Sequence, residues 1–378
     1  MKKATFGLIG TGGIAQSQHL PNLTRAPNIR LKTICDLRRD VVEAMQKTYA
    51  VENAVTEHKR ILEDKEIDAV VIASKEDAQV PLTIEALRAG KHVYVEKPLA
   101  ESPERCAEVV AAERETGRHV VVGFNRRFAP AYLQAKNLID AHGGAKNIYY
   151  RISDEYWSWG KNNPPGVRVI HEVCHVFDIL RWFTGSNVVS LYTATARADD
   201  EIYTLTFANG AVATIMNSGY ATMDMPKEHL EIIADKGGVF IEDFSELTAY
   251  GFSDTDHRYT FAGHTHPLKE YMHKFLLAAE GADALRAIRR MAWELREKIA
   301  GGSMNEHDLA EAKAFMDRAP NWNYMVDKGW RACLEHFARC IVDGKKPDGA
   351  ATAADALTAS ALAQAAIRSR TDGIISLR

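Results

Sequence analysis

Cysteine is scarce in this chain and poorly arranged for chemistry. Cys35, Cys106, Cys174, Cys333 and Cys340 are scattered, odd in number and without a CxxC pair. That argues against a disulfide framework or a cysteine-type zinc site and fits reduced thiols in a cytosolic protein. Long apolar runs are missing as well, since no stretch approaches the ~18 residues of a membrane span. Neither charge sign is in excess: 47 basic against 50 acidic residues leave a formal net charge of −3. Nothing global therefore points to nucleic acid or to an anionic membrane. Low-complexity tracts, the mark of disorder, are absent too. The opening MKKATFGLIGTGGIA sets two lysines before an apolar run, as a signal peptide does. Glycines break that run and QSQH follows at once, so a buried strand and a loop are expected, and the cytoplasm is the expected location. What remains is a 378-residue chain, 46% hydrophobic and 26% charged, long enough for two domains with a real core.

The first half reads as alternating strands and helices. ATFGLIG is a compact apolar run ending in GTGGIA, and AQSQHLPNL can open a helix; strand, glycine turn and helix is the context in which a GxGxxA fingerprint carries meaning. Gly10 allows the tight turn, Gly12 lets a pyrophosphate approach the backbone, and Ala15 permits close helix–strand contact. The helix N-terminus then faces the phosphates with its partial positive charge. The next strand, IRLKTICD, ends on Asp36, 21 residues beyond Ala15, close to the roughly 20 expected for a ribose-binding acid. A carboxylate there favours NAD over NADP, while the neighbouring Arg38 and Arg39 could accept a 2′-phosphate; the bland alternative for Asp36 is a helix N-cap. DAVVIAS, KHVYVEKPLA and RHVVVGFNRRF continue as strands, separated by the helical VPLTIEALRAG and SPERCAEVVAAERETG, with Ser102 as N-cap. Short apolar runs between amphipathic helices mean a doubly wound parallel sheet over about residues 1–125, its ligand outside the carboxyl ends of the strands.

HEVCH, residues 171–175, spells HExxH. On a helix His171 and His175 share a face and could ligate zinc, with Glu172 activating water. The extended metzincin pattern fails, because Asp178 and Arg181 stand where a glycine and a third histidine are needed.

GTGGIA, AGKHVYVEKPLA, GFNRRFAP, CHVFDILRWFTG and the final ATAADALTASALAQAAIRSR together resemble the Gfo/Idh/MocA oxidoreductases, the family of glucose–fructose oxidoreductase and inositol dehydrogenase, over most of the chain. The resemblance implies a Rossmann domain (1–125) followed by an α/β domain with an open, largely antiparallel sheet (126–378), used for substrate and for contact in a homodimer or homotetramer. It places NAD against Gly10, Gly12, Gly13, Ile14, Asp36, Leu37, Ser74, Gln79, Glu96, Lys97 and Asn125. Lys97 would lie near the substrate hydroxyl, before a proline, Pro98, that commonly follows a cis bond. A desolvated lysine of lowered pKa can move an alcohol proton. Arg127 would shape the substrate site, and His175 falls on the family's catalytic histidine. HEVCH then reads as the start of an active-site helix, with no metal expected. Two departures stand out: His171 occupies the place of the usual acid, with Glu172 beside it, and ASKEDAQ replaces a T-P-N-x-x-H pattern.

In the second half, EYWSWGKNNPPG carries Trp157 and Trp159, which could stack on a sugar ring or simply anchor a loop, and Lys161, whose amine could bond hydroxyls. Arg168, His171 and Lys161 together suggest an anionic group on the substrate, unless Arg168 pairs with an acid. EIYTLTFANG and AVATIMNSGYA read as a hairpin turning at Asn209–Gly210, and HLEIIADKGGVFIED as a further strand pair. A helical insertion is expected over about 265–330, near His264, His266 and His273, and the last two helices should return to a core. The expected activity is NAD-dependent oxidation of a ring CH–OH in a sugar, glycoside or cyclic polyol, with Lys97, His175, His171 and Glu172 catalytic. The alternatives are an NAD-dependent redox glycosidase (oxidation, elimination, water addition, re-reduction) and a non-catalytic NAD sensor.

Overall fold

The computed structural model describes residues 2–222, 225–252, 257–261, 290, 293–302, 304–310 and 326–377. The three histidines at 264–273 and most of the expected 265–330 insertion lie outside these residues; within it, 293–300 and 306–310 are helical. No helix among the described residues is long and apolar enough to cross a membrane.

The chain forms two compact units that are not consecutive stretches. The first gathers residues 1–129, 169–182 and 328–367; the second gathers 130–168, 183–327 and 368–378. In the first, strands β1 (Ala4–Ile9), β2 (Ile29–Cys35), β3 (Asn53–Val55), β4 (Ala69–Ile72), β5 (His92–Val95) and β6 (Val120–Val122) form one sheet in the order β3-β2-β1-β4-β5-β6. Every neighbouring pair is parallel. The order reverses between β1 and β4, the switch point at which such sheets hold ligands. Alternation divides the apolar side chains between two faces. Phe6, Leu8, Val71, Tyr94 and Val121 pack into one core, and Ile9, Val70, Ile72, Val93, Val95 and Val122 into the other.

The C-terminal helices complete both layers, as expected of them. Cys333, Leu334 and Phe337 of the helix Trp330–Asp343 join the first core, with Phe337 edge-on to Phe6 at 6.1 Å. Ala353, Ala356 and Ala359 of the helix Ala353–Asp372 join the second. A division at residue 125 therefore differs from the compact units because the sheet's cover is supplied by segments far along the chain.

The second unit holds β7 (Asn147–Ser153), β8 (Val188–Arg197), β9 (Asp200–Phe207), β10 (Val212–Ser218), β11 (Glu228–Ala234), β12 (Gly237–Glu242), β13 (Glu246–Tyr250), β14 (Arg258–Thr260) and β15 (Ile375–Ser376). Their order is β14-β13-β12-β11-β7-β10-β9-β8-β15. β7 and β10 run parallel and the other neighbours antiparallel, so the sheet is largely antiparallel. The expected β9–β10 hairpin is present; Gly210 has φ +87 and donates to Phe207, a left-handed position that glycine adopts without penalty. One face buries Tyr150, Tyr203, Leu205, Ile215, Leu230 and Ile241. The other leaves Tyr192, Ile202, Met216, Ile233, Phe240 and Tyr250 between 37% and 48% exposed.

Ser102 caps the helix Pro103–Thr116, its hydroxyl accepting from the Arg105 N–H at 3.3 Å. Ser102→Ala should cost about 1 kcal/mol of stability and Ser102→Gly only a few tenths, read from urea denaturation midpoints.

Candidate functional site

The glycine turn after β1 is built for close approach. Gly10 has φ +91, and a Cβ there would lie 2.4 Å from the Ala73 carbonyl oxygen, so any other residue would force β1 and β4 apart at the switch point. A Cβ on Gly12 or Gly13 would meet nothing within 4 Å; side chains there would fill the space beside the loop that a pyrophosphate takes in this fold. Ala15 is fully buried, as close helix–strand contact requires. Asp36 follows β2 and is locked onto the turn: its Oδ2 accepts the Thr11 N–H and hydroxyl, both at 2.9 Å, and its Oδ1 accepts the Arg38 N–H at 3.0 Å. Burial alone would raise the carboxyl pKa, but the bonds from Arg38 and Thr11 outweigh it and hold the group below its usual range. An ionised acid at the end of β2 suits a ribose diol. Arg38 leans back on it at 3.4 Å, and Leu37 is largely exposed.

At the end of β5 the peptide between Lys97 and Pro98 is cis. Glu96 is buried; its Oε1 lies 2.8 Å from His19 Nε2, and its Oε2 accepts the Lys97 N–H at 3.2 Å. Gln79 is buried below the same turn, where its amide, with the nitrogen turned inward, donates to the Glu96 and Pro98 carbonyls. Ser74 is half-buried at the end of β4, its hydroxyl donating to the Lys75 carbonyl at 3.3 Å.

Lys97 Nζ donates to the His171 carbonyl at 2.8 Å and lies 3.4 Å from Glu172 Oε1. The expected lowering of its pKa is not found. Burial pushes it down, but Glu172, with smaller contributions from Cys174 and Glu96, overcomes this and leaves it raised. Lys97 is thus a cation at neutral pH, suited to donating a proton or stabilising an alkoxide beside a carboxylate that can accept one.

HEVCH begins as a π-helical turn, Val169–Val173, and becomes α-helical at Cys174. Its side chains take separate directions. Glu172 turns to Lys97, while His171 Nε2 lies 3.4 Å from Glu76 Oε2. His175 is 5% exposed, edge-on to Phe124 at 5.7 Å. Among the described residues, the group with metal-ligand chemistry is Glu76, Glu101 and His171, whose ligand atoms lie within 4.8 Å of one another; His175 is not in it. Asn125 is fully buried and donates to the Lys328 carbonyl at 2.5 Å.

Arg127 and Arg168, both expected to shape the substrate site, are each paired with a buried acid. Arg127 Nε and Nη2 bond the Asp178 carboxylate at 2.9 and 2.5 Å. Arg168 is fully buried in the second unit, with Nη2 3.0 Å from Asp154 and Nη1 bonded to Asn217. Both guanidiniums are engaged by acids because a buried arginine cannot shed its charge and must be paired. Trp157 and Trp159 are half-exposed in that unit; Trp157 Nε1 donates to the Ala221 carbonyl at 3.2 Å and Trp159 stands edge-on to Tyr156 at 4.7 Å. Lys161 is exposed.

His19 is the residue the sequence reading passed over. It lies fully buried at the end of the π-turn Ala15–His19 and bridges the glycine turn to Glu96. Its only sequence signal is a histidine four residues past Ala15, in a stretch already assigned to helix.

Known proteins align with both units. A family described as an oxidoreductase family with an NAD-binding Rossmann fold matches residues 4–124, and its C-terminal alpha/beta domain matches residues 142–375. The uncharacterized oxidoreductase YrbE of Bacillus subtilis is 28% identical over 267 residues, 65% of this chain and 76% of that protein. The inositol 2-dehydrogenase of Rubrobacter xylanophilus is 29% identical over 262 residues, 65% of this chain and 73% of its own. Among solved structures, an oxidoreductase domain protein from Kribbella flavida superposes with a TM-score of 0.74 at 18% identity, covering all of both chains. Myo-inositol dehydrogenase from Lactobacillus casei, solved in complex with NAD(H) and myo-inositol, gives 0.69 at 18% identity, covering 100% of this chain and 97% of that one. With both halves matched and the glycine turn after β1 built for close approach, this chain belongs to the Gfo/Idh/MocA family of NAD-binding oxidoreductases.

Proposed function

We propose that the protein oxidises a ring CH–OH of a neutral cyclic polyol or sugar, with NAD as hydride acceptor. The observation that carries this reading is the Lys97 ammonium, half-buried just past the end of β5 and held between the His171 carbonyl and Glu172. NAD, when bound, supplies the two-electron chemistry; the protein's part is to bind, orient and move a proton. Lys97 orients the hydroxyl and stabilises its developing negative charge, and Glu172 and His175 offer sites for the released proton. Asp36, Gly12 and Gly13 hold the adenosine and pyrophosphate end. The inositol dehydrogenases among the relatives support a cyclic polyol. Neutrality is favoured over the anionic substrate first expected, because Arg127 and Arg168 are spent on acids and His171 faces Glu76. No relative named above is a glycosidase, and no observation of the site favours the redox glycosidase route. A sensor needs the nucleotide site but has no use for a lysine–glutamate pair held largely out of water beyond it.

We further propose that a second copy covers the exposed apolar face of the nine-stranded sheet, giving a homodimer or homotetramer. Exposed apolar faces of this kind mark association surfaces.

A screen of NADH formation across inositols, sugars and glycosides tests the activity, and absence of NADH with every one would sink it. Lys97→Ala should lower turnover by roughly 10²–10⁴ while NAD binding is nearly kept; wild-type turnover would remove Lys97 from the mechanism.

NAD should bind more tightly than NADP, and Asp36→Ala should narrow that preference by about tenfold, the worth of one good hydrogen bond to a charged group. Titration of both cofactors decides this, and tighter NADP binding by the unaltered protein would overturn the assignment.

Light scattering should give a dimer or tetramer that Ile202→Lys with Met216→Lys dissociates. A monomeric unaltered protein would end the association proposal.

A further inference from the structure

The turn Asn125–Phe128, the helix Cys174–Thr184 and the start of the helix Ala353–Asp372 meet at four charges. Arg127 grips Asp178 with two parallel bonds, at 2.9 and 2.5 Å. Its Nη2 also lies 3.2 Å from Asp355 Oδ1, and Arg181 Nη1 reaches the same oxygen at 3.2 Å. Asp355 is fixed in turn by Thr352, whose N–H and hydroxyl both donate to Oδ2 at 3.0 Å. The side chains of Arg127 and Asp178 are only 9% and 1% exposed. Two arginines and two aspartates balance in formal charge, so the cluster can be buried without a stranded ion.

Its position gives it a use. Asp178 stands three residues after His175, on the same face of one helix. Arg127 stands two residues after Asn125 in a turn whose backbone is crowded from the other side: a Cβ on Gly329 would sit 2.4 Å from the Asn125 carbonyl oxygen. A paired planar guanidinium and carboxylate fix both distance and angle, which a single-point ammonium contact does not.

We propose that Arg127 is a positioning residue: by clamping Asp178 it fixes the helix carrying His175 against the turn carrying Asn125, so that both present to one reacting centre. This rests on the reading that His175 and Lys97 work at the substrate carbon. Misplacing a catalytic group by about 1 Å can cost on the order of 10²-fold in rate.

The test combines two readouts on Arg127→Lys, Arg127→Gln and Asp178→Asn, at a temperature where circular dichroism shows each variant fully folded. With the best polyol from the screen, Arg127→Gln should lose about 100-fold in kcat and Arg127→Lys about tenfold, with KM and the NAD dissociation constant little changed. Hydrogen–deuterium exchange should show Arg127→Gln loosening residues 174–184 and Asp178→Asn loosening residues 125–128, each across the clamp, with β4 unaffected. Unchanged kcat with lowered thermal stability would make the cluster merely structural and overturn the proposal. Exchange confined to the altered segment would overturn it too. If no substrate is found, the exchange arm still decides the clamp, so failure of the activity reading stays distinct from failure of this one.

Discussion

An ammonium drawn largely out of water has to be paired, and much of the first unit's architecture around Lys97 follows from how that demand is met. Taking a lysine out of water is costly, and the cost is returned only by a carboxylate and a hydrogen-bond acceptor in good geometry. Both come from the segment at 171–172, the carbonyl from His171 and the carboxylate from Glu172. The wide π turn over Val169–Val173 aims them, and such turns recur at functional sites for this reason. HEVCH is therefore an anchor for a lysine 74 residues earlier in the chain. The structure sends its side chains to different partners, Glu172 to Lys97, His171 to Glu76 and His175 to Phe124.

The same logic of compensation runs through the unit. Glu96 is tied to His19, Arg127 and Arg181 to Asp178 and Asp355, and Asp36 to the Thr11 and Arg38 donors. Each of these side chains is held by a partner from another segment or by local donors, so the unit's polar groups are fixed in place.

What could be read from the sequence was what local rules determine. The parallel sheet announced itself in short apolar runs bounded by helices, and the glycine turn and Asp36 in a fixed spacing along one βαβ unit. The Asn209–Gly210 hairpin and the Ser102 cap are set by neighbours within a few residues. What the sequence does not display is partner choice. Arg127 and Arg168 read as cations free for a ligand or an acid, because a sequence does not display that Asp178, 51 residues on, meets the first, or that Asp154 turns inward to the second. The raised pKa of Lys97 is hidden for the same reason: desolvation follows from its place at a strand end, but the carboxylate that reverses its effect comes from a distant segment. His19 was hidden because nothing in a helical stretch marks which polar residue faces inward.

The interleaving of the two units has a consequence for how the protein is made. The six-stranded sheet is finished by residue 122, yet one of its faces waits for Cys333, Leu334 and Phe337 and the other for Ala353, Ala356 and Ala359. At a ribosomal pace of about 5–20 residues per second, those helices emerge on the order of 10–40 s after the last strand. Through that interval apolar strands stand partly uncovered on the nascent chain. Uncovered apolar surface of that kind is where a nascent chain is prone to aggregate before its fold is complete.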